Sequence, residues 1–238
     1  MIATFVPAMR TPYSIELLDQ SLTDGLAAKL GKRPSIETRA VALAKVRLES
    51  GNGTACWRHN LGNVKAPASY IGNFTCITLN EVLGGKLVWF APEGELTGSP
   101  GSGGKLKGEP IPVPDGHPQT RMVARANPTD AGYFYVDFIA GNLRYEKAFA
   151  ALVAGNPEAY ARELSAAGYY TAPVEQYTAT VMRLFNESVA RLRGQSTEHI
   201  DQPPKNDWHV EAVLAAESYD LRQAMLDDKN AALREEDQ

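Results

Sequence analysis

Leu48-Glu49-Ser50-Gly51-Asn52-Gly53, followed closely by Asn60-Leu61-Gly62-Asn63-Val64-Lys65, is the stretch from which the rest of the chain is read. Upstream, Ile36, Ala40, Val41, Leu43, Ala44 and Leu48 recur at helical spacing behind Ser35, an N-cap residue, and Gly51 ends the run. Glu49 therefore falls in the last turn of a helix. The negative end of the helix dipole disfavours a charged carboxylate there and works towards keeping it protonated. From 51 to 67 the text is polar and rich in glycine, yet Trp57, Leu61 and Val64 interrupt it. It reads as an ordered loop beside the helix end.

Working outward, Ile15, Leu17, Leu18, Leu22, Leu26 and Leu30 predict a first amphipathic helix, with Ser14 as cap and Gly31 as stop. Downstream, Tyr70, Ile71, Phe74 and Ile77, then Leu87 to Phe90, flank Gly84-Gly85 and predict an antiparallel hairpin turning near the glycines. Residues 94 to 118 hold so much Gly and Pro that they propagate neither a helix nor a central strand, and they read as a mobile surface insertion. Further helices are expected after Pro128 with Thr129 as cap, over Leu143 to Val153, Pro157 to Ala167 and Val174 to Leu192. The fold class this order predicts is α+β, mostly α: a helical body with a small β-hairpin lobe. One domain is expected over 1–193, a linker over 194–207, and an amphipathic helix over 208–238 carrying Val210, Val213, Leu214, Leu221, Met225 and Leu226. That helix either packs back on the body or docks on a larger assembly.

With 238 residues the chain can bury one sizeable core, and 44% hydrophobic with 22% charged residues is ordinary for a folded, soluble protein. The net charge of -4, with no basic block, makes nucleic acid an unsuitable partner. No run of 18 apolar residues exists to span a membrane, and no secretory signal is visible at the N-terminus. His59, His117, His199 and His209 show no ligand spacing, so no metal is assigned and no cofactor is expected. Cys56 and Cys76 are either two buried thiols or a disulfide clipping the loop to the next strand.

Taken together, five words resemble the glucosaminidase family of peptidoglycan hydrolases, which has a lysozyme-like fold. They are L-E-S-G-N-G, N-L-G-N-V-K, T-R-M-V-A-R at 120–125, N-L-R-Y-E-K-A-F at 142–149, and A-A-G-Y-Y-T-A-P at 166–173 followed by Tyr177. The match covers roughly residues 35 to 190 and is specific in order and spacing. Related phage-type or injection-type hydrolases carry C-N-E-V, which resembles C-I-T-L-N-E-V at Cys76 to Val82. The family has an aromatic residue after its N-L, where this chain has Gly62. The resemblance implies cleavage of β-1,4 bonds in the glycan strand of peptidoglycan as an N-acetylglucosaminidase, with an extracytoplasmic site of action at the cell wall. The absent signal, the acidic charge and the expected C-terminal helix fit delivery by a phage tail or secretion apparatus.

Glycoside hydrolysis needs a carboxylic acid that stays protonated beside the leaving oxygen, and Glu49 suits that role. For a second carboxylate Glu81 is preferred over Glu93 and Glu95, because it lies in the expected hairpin while the other two adjoin the insertion. An inverting pair stands ~6.5–9.5 Å apart and a retaining pair closer, while a substrate acetamido group makes one protein acid sufficient. By the resemblance, Tyr169 is the active-site tyrosine, Tyr170 faces away and Tyr177 joins the substrate site. Trp57 either stacks on a sugar face or pins the loop, and Asn60 either binds an acetamido group or holds the loop. Two other readings stand beside this one. They are a lytic transglycosylase or muramidase, and a catalytically idle structural or wall-binding component of a phage tail or secretion apparatus.

Overall fold

Ser14 and Ser35 cap the first two helices as expected, each hydroxyl accepting the backbone N–H three residues on, from Leu17 and Thr38, at 3.1 Å. The computed structural model describes residues 3–83, 86–170 and 172–194, so the expected linker and C-terminal helix lie outside the described residues from position 195 onward. Helix α1 spans Ile15–Leu30 and ends at Gly31 in the left-handed region, φ 66°. Helix α2 spans Ile36–Glu49 and is buried on every side from Ala40 to Glu49. It is the central helix, and Lys45, Arg47 and Glu49 are buried with it. Buried charges persist only with partners, so these three residues dictate much of what surrounds α2.

Helix α3 spans Pro128–Gly141, and its cap is Asn127, whose side chain accepts from the Asp130 N–H at 2.9 Å. The expected cap, Thr129, lies inside the helix because Pro128 takes its first position. A 3-10 turn at Leu143–Tyr145 precedes α4, Glu146–Val153. Next come α5, Pro157–Ala166, capped by Asn156, and α6, Val174–Leu192. These helices enclose one core that includes Leu22, Leu26, Leu43, Leu48, Tyr135, Tyr160, Tyr177 and Leu184.

Helices α1 and α3 cross at two glycines. A Cβ on Gly132 would lie 1.8 Å from the Ser21 carbonyl oxygen, and one on Gly25 would lie 2.4 Å from the Gly132 carbonyl oxygen. The two backbones are in direct contact.

The β portion is larger than one hairpin. Strand β1 (Thr4–Phe5) pairs parallel with β2 (Asn73–Cys76). Strands β3 (Leu79–Leu83) and β4 (Lys86–Ala91) form the expected antiparallel hairpin, and β5 (Gly94–Leu96) extends it. Strand β6 (Arg121–Val123) completes the first sheet, in the order β1-β2-β6. Tyr70 to Ile77, read as one arm of the hairpin, therefore supplies β2 of a different sheet. The segment 94–118 opens with an edge strand, a place its composition permits. It then turns back along β5: Thr97 N–H donates to Lys105 O, Lys107 N–H to Glu95 O and Ile111 N–H to Glu93 O, each at 2.8 Å.

Phe138 packs against both the helical core and the cluster of Val64, Ala66, Phe74, Cys76 and Val123, which joins the first sheet to the body. Both cysteines are buried free thiols, Cys56 in the helical core and Cys76 in this second cluster.

Candidate functional site

Glu49 ends α2 and is 2% exposed. Its Oε1 accepts a hydrogen bond from the Tyr177 hydroxyl of α6 at 3.0 Å, and the Lys45 ammonium lies 3.6 Å from the same oxygen. Lys45 stands one turn earlier on α2, so both side chains emerge on one face. Burial and the helix end favour a protonated Glu49, whereas the ammonium favours the carboxylate.

Lys45 is fully buried and donates to the Tyr169 hydroxyl. It also lies 4.0 Å from the centre of the Tyr169 ring and 5.1 Å from that of Tyr135. Tyr169 in turn donates to the Gly62 carbonyl at 3.1 Å and stands edge-on to Tyr145, with ring centres 5.5 Å apart. Its hydroxyl thus joins α2 to the loop. Tyr170, expected to face away, stacks on Tyr177 with ring centres 3.6 Å apart and donates to Ala161 O at 2.8 Å. Burial, followed by the nearby charge of Glu49, holds the Tyr177 phenol well above its usual range. It therefore remains a neutral donor.

The loop after Glu49 is built by its asparagines and glycines. Gly51, Asn52 and Gly53 all have positive φ, and a Cβ on Gly53 would meet the Tyr13 carbonyl at 2.6 Å. Asn60 is buried; its Nδ2 donates to Val64 O at 2.9 Å and its Oδ1 accepts from Val64 N–H at 2.8 Å. These two bonds latch the turn from Asn60 to Val64. Asn63 donates to the Glu49 carbonyl at 2.7 Å, tying the loop to the helix end. Beyond it Lys65 bridges to Met122, so the loop runs along β6 and the words at 60–65 and 120–125 lie side by side.

Glu81, on β3, is completely buried and takes the Lys65 ammonium on Oε1 at 2.8 Å. Lys65 also donates to the Gln119 carbonyl at 2.5 Å. Asn63 and Lys65, two residues apart, therefore connect Glu49 to Glu81. Glu95 stands in β5 opposite Phe90 and pairs with Lys107. Trp57 bridges to Arg10, whose guanidinium lies 5.0 Å from the ring centre, and it packs beside the cluster of Ile77, Leu79, Phe90 and Met122.

The structure thus brings Glu49, Tyr177 and, through Lys45, Tyr169 to one place, with Asn60 organising the loop and Glu81 reached through Lys65. Trp57 belongs to the neighbouring β cluster. Lys45, Asn63 and Lys65 escaped the reading of the sequence. The signal available for Lys45 was its spacing of four from Glu49, directly behind the apolar run Ala40 to Ala44. Among the described residues, no group of three His, Cys, Asp or Glu is placed to hold a metal ion, and no helix is long and apolar enough to cross a membrane.

No protein-family model matches the chain, and no curated protein matches it. Among solved structures, the chain is similar to a peptidoglycan hydrolase mutant from Sphingomonas sp. A1, at 21% identity and a TM-score of 0.49, over 76% of this chain and 100% of that one. It is also similar to a C-terminally truncated glycoside hydrolase domain of FlgJ from Salmonella typhimurium, at 21% identity and a TM-score of 0.43, over 77% of this chain and 100% of that one.

Proposed function

We propose that the chain is a peptidoglycan hydrolase that cleaves β-1,4 bonds of the glycan strand as an endo-β-N-acetylglucosaminidase, with Glu49 as general acid. The observation that carries this reading is the contrast between two buried carboxylates, Glu49 and Glu81. Glu81 takes a direct bond from the Lys65 ammonium at 2.8 Å, while Glu49 takes a direct bond from a neutral phenol, with the Lys45 ammonium farther off, at 3.6 Å. A pair of carboxyl groups whose surroundings differ in this sense divides into an acid and a permanent carboxylate. Glu81 is then the charge that activates water or steadies the sugar cation, unless the acetamido group of the substrate does so. Tyr177 aims the acid, and the loop from Asn60 to Lys65 fixes its distance from the β strands.

The substrate is the glycan strand of the cell wall, which is the site of action. Docking on a phage tail or secretion apparatus through residues 208–238 belongs to the same proposal. Glu49→Gln is expected to fold normally and to lower hydrolysis of purified walls by at least about 100-fold, the usual worth of a positioned acid. Undiminished activity in that variant would exclude the mechanism. Mass spectrometry of the digest separates the enzyme classes: a reducing N-acetylglucosamine end is expected, and an anhydro-muramic end would make the protein a lytic transglycosylase. Retention on walls with no release of fragments would make it a binding component.

A further inference from the structure

Lys45 occupies a setting suited to a cation. It has no solvent exposure, two aromatic faces within 4.0 and 5.1 Å, a hydroxyl to donate to and a carboxylate oxygen at 3.6 Å. Ring faces and carboxylates attract an ammonium and offer nothing comparable to a neutral amine. A charge retained in a dry site acts on its neighbours with little screening. Four tyrosines also lie within electrostatic reach of Glu49: Tyr135 of α3, Tyr160 of α5, Tyr170, and Tyr177 of α6, all held above their usual range. They are neutral throughout the range in which carboxyl groups titrate. Asn63 donates to the Glu49 backbone carbonyl.

We propose that Lys45 is a positioning residue that holds Glu49 as a carboxylate at neutral pH, so that Glu49 takes up its proton and acts as an acid only in an acidic medium. The proposal rests on Glu49 being the acid of the preceding reading. Removing the Lys45 charge takes a full cation away from 3.6 Å and leaves burial and the helix end in place, which moves the protonation of Glu49 upward.

Two measurements on the full chain test this separately. In protein labelled with ¹³C at the glutamate carboxyl, the Glu49 resonance is identified by its loss in Glu49→Gln and followed with pH. In Lys45→Gln it is expected to titrate at least about one pH unit higher than in the wild type, and in Lys45→Arg near the wild-type position. Lys45→Met serves the same titration should the Gln variant not fold. Coincident titrations in the wild type and the uncharged variant would overturn the proposal. Wall hydrolysis then adds the activity profile: its alkaline limb is expected to move up with the resonance, raising kcat/KM about tenfold at pH values above both limbs. A shifted resonance in a protein that digests no wall would keep the Lys45–Glu49 coupling and retire the hydrolase reading.

Discussion

Tyr177 donates a direct hydrogen bond to the Glu49 side chain, and it does so from a helix more than a hundred positions away in sequence. Replacing it with Phe keeps the stacked ring on Tyr170 and removes only the donor. The expected loss is about five- to tenfold in wall hydrolysis, the worth of one neutral hydrogen bond, with the melting temperature little changed. Glu49 itself was legible because helix period, stop signal and loop chemistry all converge within a few residues. Of its neighbours, Tyr169 and Tyr177 were named by the resemblance alone, since they reach the site only through the packing of α6 and the segment before it. Lys45 was missed because it adjoins the apolar run Ala40 to Ala44. The dipole argument for a protonated Glu49 was also incomplete, because sequence alone did not show the ammonium at 3.6 Å.

At the level of the loop, Asn60 holds both ends of a five-residue turn with two side-chain bonds. Asn60→Ala leaves Val64 N–H and O without these partners, at an expected cost of about 2 kcal/mol in chemical denaturation. Because Asn63 is tied to Glu49 and Lys65 to Glu81, activity is expected to fall further than stability alone accounts for. Gly62 is a second sensitive point. A Cβ there would come within 2.8 Å of the Tyr135 ring, and Gly62→Ala is expected to cost about 1–3 kcal/mol. The helix ends were mostly readable from caps and glycines. At α3 the expected cap, Thr129, gives way to Asn127, since Pro128 is suited to the first helical position.

For the molecule as a whole, the helical body was written in its periodicity, whereas the sheets were only half visible. The β3–β4 hairpin is local and carries its own turn signal. β1 and β6 are strands of two and three residues, too short for a period, and they exist because β2 lies between them. The shared core also sets the alkaline limit of stability. Burial lifts the Cys56 thiol from 9.0 to about 12 and the Tyr170 phenol from 10.0 to about 12, and it raises Tyr135 and Tyr177 well above 10. The unfolded chain releases these protons first, so their contribution is complete below pH ~9 and is lost as pH rises from there towards 12. Urea midpoints are expected to be flat from pH 7 to 8.5 and then to fall, at up to about 1.4 kcal/mol per pH unit for each such group. Cys56→Ala is expected to flatten the first part of that decline.

The crossing of α1 and α3 restricts the sequence as well as the structure. Gly25→Ala or Gly132→Ala is expected to cost at least about 2 kcal/mol, because each Cβ would meet the backbone of the opposite helix rather than a side chain able to turn away. The pair also acts as a register pin. Sliding α3 by one position would set Ala131 or Tyr133 against the Ser21 carbonyl, where only a hydrogen fits. Threading of the two helices is thus decided by a one-letter alphabet at positions 25 and 132, and no compensating change in a neighbouring side chain can relax it.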